Sequence, residues 1–232
     1  MASDIAFDII LTGDPSTYRC LSDEGHTIQQ MWDKHVGPEL DLNIFQFKAH
    51  FSDGPTTYVF LNPEFETEDA AGEKALRYTR ALGQLLPDFR QGLRQVSVHK
   101  GKPTSSAGSG KIFVYSDRTT IRIKENHLRE SRLHESVHAS LDRQYRLSGE
   151  WITAQGGNDA LVTRHAASRP ERKDQAETAL FALAIMYQPD RIPPVDTRMA
   201  KKMMPTRLTV SDRIFSNPVT LPIHSEPPDR RH

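Results

Sequence analysis

His134-Glu135-Ser136-Val137-His138 sets two imidazoles four residues apart, with a carboxylate beside the first. On a helix, residues i and i+4 share a face one turn apart, so both imidazoles can offer a nitrogen to one ion. Glu135 is turned partly around such a helix and can reach a water held by that ion. Zinc lowers the pKa of the water toward ~7, and a carboxylate in this position accepts its proton as general base. These residue types in this order point to hydrolysis with Zn2+ as cofactor. In a chain with ten histidines the competing explanation is a chance match. Chance matches tend to fall in loops and polar runs. Here Leu133, Val137 and Leu141 form an apolar stripe beside the histidines, and no Gly or Pro interrupts residues 128 to 147.

A zinc hydrolase generally takes three protein ligands and leaves a position open for water. Asp142, Glu171, Asp174 and Glu177 are the candidates for the third. Asp142 lies on the histidine face, but about 12 Å from His134 along a straight helix at 1.5 Å per residue. It is read as an acceptor behind a histidine or as a surface charge. Asp174 and Glu177 are three apart at the start of the next apolar helix and share a face. Glu177 is expected on the metal, with Asp174 hydrogen-bonded to a histidine; the exchanged roles and a solvated acidic helix start are the alternatives. Glu171 is such a helix-start charge. Stabilising an oxyanion needs a donor. His165 is chosen ahead of Tyr145 and Arg164, against the simpler reading of an exposed loop histidine. His127 is read as an exposed residue at the helix start.

Several elements must position these groups. Residues 41 to 62 alternate apolar and polar around the turn Ser52-Asp53-Gly54-Pro55 and predict a hairpin. Glu66 to about Leu86 suits a helix, with acidic Glu68 and Asp69 near its start. Short strands are expected at Gln95 to His99, Lys111 to Tyr115 and Thr119 to Ile123, with a turn at Ser116-Asp117-Arg118. Thr104 to Gly110 reads as a flexible loop, either a lid or an idle connector. The histidine helix is expected over Leu128 to Arg146, a second over Arg172 to Tyr187 and a shorter one over Asp196 to Met204. Residues 1–215 form the expected single domain. Residues 216–232 contain four prolines without periodicity and read as an extended tail. The order predicts an α+β fold, a mainly antiparallel sheet in the first half followed by helices.

Composition narrows the function classes. Lys plus Arg and Asp plus Glu each number 30 in 232 residues, a balance without the basic excess of a nucleic-acid-binding protein. Apolar residues make up 37 % and charged residues 26 %, the range of a globular protein, so a core does not need a metal for stability. The longest strongly apolar run, Ala179 to Tyr187, is too short to span a bilayer. Met1 to Ile5 lack the basic start and apolar stretch of a signal peptide, so a soluble, cytoplasmic protein is expected. The lone Cys20 offers neither an internal disulfide nor a zinc cluster and is expected as a small buried or half-buried side chain.

At His134-Glu135-x-x-His138 the chain resembles the zincin metallopeptidases. The resemblance implies both histidines as ligands, Glu135 as base, a sheet ahead of the active-site helix and a helical half behind it. Asp174-Gln175-Ala176-Glu177 looks like the acidic helix of the subgroup with a glutamate ligand. No NExxSD sequence and no HExxHxxGxxH extension is present. Gln30 to Asp33, Asn62 to Phe65, His134 to Asp142 and Asp174 to Glu177 together resemble a group of small uncharacterised proteins with an HExxH site. The expected function is a zinc peptidase acting on a peptide or protein, with Lys111 to Tyr115 or Thr119 to Ile123 pairing with the extended substrate. The alternative is an inert zincin-like binding or structural module. The intact Glu135 and histidine pair favour the enzyme.

Overall fold

The computed structural model describes residues 5, 7–37, 39–125, 127–158 and 160–216. Six strands form one sheet: β1 (Tyr18–Trp32), β2 (Glu39–Phe51), β3 (Thr57–Leu61), β4 (Gln95–His99), β5 (Ser106–Gly108) and β6 (Lys111–Tyr115), in the order β1-β2-β3-β4-β6-β5. The expected hairpin is present, with Phe47 opposite Val59. The sheet is mixed: three of its strand pairings are antiparallel and two are parallel. β3, β4 and β6 run parallel, because helix α1 (Glu68–Leu82) carries the chain from β3 back to the start of β4.

Alternation along the central strands sorts their side chains. Val59, Leu61, Val96, Val98, Ile112 and Val114 join one large core with Tyr78 and Leu82 of α1. The opposite face carries Phe60, which packs with Met31 and Ile44 in a smaller cluster. Ser97 and His99 are buried on that face as well. The helices that follow are α2 (Ser116–Lys124), α3 (Leu128–Ser140), α4 (Gly149–Gly156), α5 (Arg164–Ser168), α6 (Pro170–Tyr187), α7 (Pro194–Met203) and α8 (Pro205–Ser216). A sheet followed by helices is the α+β arrangement. No helix among the described residues is long and apolar enough to cross a membrane.

Several expectations are corrected. Thr119 to Ile123 is helical, not a strand. The alternation of Ile121 and Ile123 misleads, since Ile123 is 44 % exposed, while Thr119 and Arg122 turn inward together at i, i+3. Asp117 in the first turn and Arg122 and Lys124 in the last suit the helix dipole. The histidine helix stops at Ser140 and continues as one turn of π-helix, Asp142–Arg146. Thr104 to Gly110 contains the short strand β5. Cys20 is exposed on edge strand β1. In the tail, Ser216 is the last residue of α8, and 217–232 lie outside the described residues.

Candidate metal centre

α3 and α6 are the two most deeply enclosed helices. From Glu130 to Ala139 on α3, and from Asp174 to Ala184 on α6, every residue is buried. For α6 this follows from its composition, apolar all round from Ala179 onward. On α3 the reason is different. Leu133 and Val137 anchor it in the main core, and the polar residues between them must then find partners inside the protein.

Those partners define the site. His134 is fully buried, and its Nε2 lies 3.2 Å from Nε2 of His138. On its other edge, His134 Nδ1 is 2.8 Å from Glu177 Oε1. His138 Nδ1 is 3.0 Å from Asp142 Oδ2, which also meets Arg146 Nε at 3.3 Å. Asp142 opens the π turn that follows α3 and stands one turn beyond His138 on the same face, as an i, i+4 partner. Thr163 Oγ1 donates to Glu177 Oε2 at 2.9 Å and accepts from the Ala166 amide at 3.0 Å as the cap of α5. That cap holds α5 against α6 and brings the half-buried His165 ring to 5.4 Å from the His134 ring. Lys173, one turn before Glu177, places Nζ 3.5 Å from His138 Nε2.

Burial pushes the His134 imidazole well below its usual pKa, and His138 beside it adds to the shift. His134 is therefore neutral at physiological pH, the form that binds metals. Glu135 is buried, and its Oε2 has no hydrogen-bond partner among the described residues. Behind it the buried Arg132 guanidinium donates to Ser105 Oγ and Thr119 Oγ1, each at 3.2 Å, and lies over the Tyr78 ring.

The structure thus gathers His134, Glu135, His138, His165 and Glu177 at one place. His134, His165 and Glu177 each offer a ligand atom, all within 4.8 Å of one another, and could hold a metal ion. Asp174 is placed differently from the expectation. Among the described residues its carboxylate meets no histidine and instead pairs with Arg207 of α8, both side chains fully buried, and accepts from Gln155 Nε2 at 3.0 Å. Glu171 has an exposed side chain; only its carbonyl is engaged, by Arg146. Arg164 is exposed, Tyr145 packs half-buried against the core, and His127 stands at the N-cap of α3. Sequence reasoning overlooked Lys173 and Thr163. Lys173 was accessible to it, since it lies at i−4 from Glu177 and so on the same helical face.

Compared with known proteins, the chain matches no family model, no curated protein and no solved structure.

Proposed function

We propose that the chain is a zinc-dependent hydrolase that cleaves peptides. His134 and His138 are the residues that would hold the ion through Nε2, Glu177 stands at Nδ1 of His134, and Glu135 is the general base. The observation that carries this reading is the pair of Nε2 atoms 3.2 Å apart, on rings whose Nδ1 atoms each meet a carboxylate. Two nitrogens bound to a tetrahedral ion at about 2.0–2.1 Å stand about 3.3–3.4 Å apart, so the donor pair fits zinc. The Asp142 carboxylate at Nδ1 of His138 keeps the proton on that nitrogen and leaves Nε2 as the donor. When bound, zinc supplies a water of lowered pKa and polarises the carbonyl to be attacked. Glu135 accepts the proton on its buried, unpartnered Oε2. His165, beside His134, offers a donor to the oxyanion.

A peptide is favoured as substrate by the sheet edge beside α3. β6 is flanked by β4 and β5 and has no free edge, and Thr119 to Ile123 is helical. Among the described residues the edge on this side of the sheet is β5, which pairs with β6. The turn after it is tied to α3 by the Gly110 amide, which donates to the Ala139 carbonyl at 2.9 Å. An extended peptide added to β5 would run alongside the histidine helix. The competing reading, a metal-free binding module, has one observation on its side, the Lys173 ammonium at His138.

Zinc content by elemental analysis, together with hydrolysis of a peptide library, tests the proposal. The His134→Ala, His138→Ala double variant should lose zinc, and Glu135→Gln should keep zinc and lose hydrolysis. Unchanged zinc in the double variant refutes the site. Absence of hydrolysis by zinc-loaded protein refutes the enzyme. Glu177→Ala decides the carboxylate's place: removal of an outer partner of His134 weakens zinc binding roughly 10–100-fold, and removal of a direct ligand weakens it more.

A further inference from the structure

We propose that the Lys173 ammonium is a tethered counter-cation of the His134–His138 pair, holding the metal-free site together and leaving when a metal binds. This rests on the zinc reading and adds a competitor built into the same site.

His138 has its Nδ1 hydrogen-bonded to Asp142, so it carries its proton there and turns an Nε2 lone pair inward, and Glu177 Oε1 lies 2.8 Å from Nδ1 of His134. That lone pair stands 3.2 Å from Nε2 of His134 in a buried setting, where a positive charge beside it is favourable. Lys173 supplies that charge: its Nζ stands 3.5 Å from His138 Nε2 and is a donor with no accepting capacity.

The surroundings agree. Glu135, Asp142 and Glu177 are three carboxylates around the histidine pair; Arg146 meets Asp142, and Arg132 is in electrostatic reach of Glu135. An ammonium here offsets charge that zinc would otherwise offset. The two cations cannot both occupy the space between the nitrogens, because at such separations inside a protein their repulsion is severe. Lys173 is also able to leave. It is half-buried, lies in the first turns of α6 and has a four-carbon stem that can carry its charge to solvent. Asp174, the next residue, is locked to Arg207, so the helix stays in place while the lysine swings.

The prediction has two readouts of opposite sign. In Lys173→Met the zinc affinity, measured by competition with a chelating dye, should rise about 10–100-fold, the span usual for groups just outside the ligand shell. The melting temperature of the metal-free protein in chelator should fall by about 2–4 °C, as expected for the loss of one modest interaction in a domain of this size. Lys173→Gln should behave alike and guards against a packing effect of methionine. A lysine with a merely structural role would lower both quantities. Zinc affinity unchanged or reduced in both variants, with wild type binding zinc, overturns the proposal and leaves the zinc site standing. Zinc binding by neither wild type nor variants removes both. Binding by the variants alone supports the proposal in its strongest form, provided His134→Ala abolishes it in the Lys173→Met background.

Discussion

Arg207→Met should be one of the most damaging substitutions in the chain. Arg207 and Asp174 are both fully buried, and the guanidinium also donates to the carbonyls of Ala160 and Met203. Methionine fills much of the same volume but leaves Asp174 with only Gln155 and Thr178. Removing one member of a buried ion pair costs about 3–5 kcal/mol, because a desolvated charge is left behind. For a chain of this length each kcal/mol lowers Tm by about 2–4 °C, so a fall of about 6–20 °C is expected. The loss should depend on pH. Burial already raises the Asp174 pKa, and Arg207 opposes that rise. Without Arg207 the folded-state pKa climbs further above its unfolded value. The penalty is then fully present above the raised pKa and is relieved as pH falls through it, when the carboxyl folds neutral. Urea denaturation at neutral and mildly acidic pH measures both effects. Asp174→Leu combined with Arg207→Met should recover most of the stability, since the pair is replaced by apolar groups. A loss below about 1 kcal/mol, the value of an exposed pair, would refute the reasoning. So would a loss that does not shrink in acid.

Three further outcomes are expected. Asp142→Asn removes the carboxylate behind His138 and should weaken zinc binding roughly 10–100-fold with little change in fold, read by dye competition and circular dichroism. Burial lowers the His99 pKa, so below its ordinary value of about 6.5 the unfolded chain takes up a proton that the folded one refuses. Stability should therefore fall as pH drops below that point, and urea titrations of His99→Gln should show a shallower slope there. Gly110 has φ +78°, and an added Cβ would stand 2.8 Å from the Gly92 carbonyl oxygen. Gly110→Ala should cost about 1–3 kcal/mol by denaturant titration and loosen β5 from α3.

What the sequence showed of this site was what one helix can show alone. The i, i+4 histidines and the stripe of Leu133, Val137 and Leu141 are local geometry, and all three residues of the stripe are buried where expected. His165 was a weak choice because its position depends on a partner 14 residues away from the Thr163 that holds it, a contact no local pattern records. β1 was missed altogether. Its exposed, polar face gives no alternating pattern, and it exists because β2 templates it along an antiparallel register from Tyr18 to Trp32. Thr119 to Ile123 failed for the opposite reason. It has a strand-like alternation, but its environment requires Thr119 and Arg122 to face inward together.

The acidic helix shows how finely a face must be resolved. Asp174 and Glu177 are three residues apart, about 60° around a helix with 3.6 residues per turn, and sequence reasoning treated them as neighbours on one surface. The observed partners divide that surface along its i, i+4 rows. Lys173 and Glu177 form one row and look toward α3, meeting His138 and His134. Asp174 and Thr178 form the next row; their side chains hydrogen-bond to each other, and Asp174 reaches Arg207 of α8. The same helix therefore presents a chemical row and an anchoring row, and the two acids belong to different ones. Holding Asp174 from behind fixes the rotation of α6, and that rotation directs Glu177 at His134. An acid three residues from a ligand candidate is thus better placed to brace the helix than to share the metal, and the residue to examine beside a candidate is the one four away.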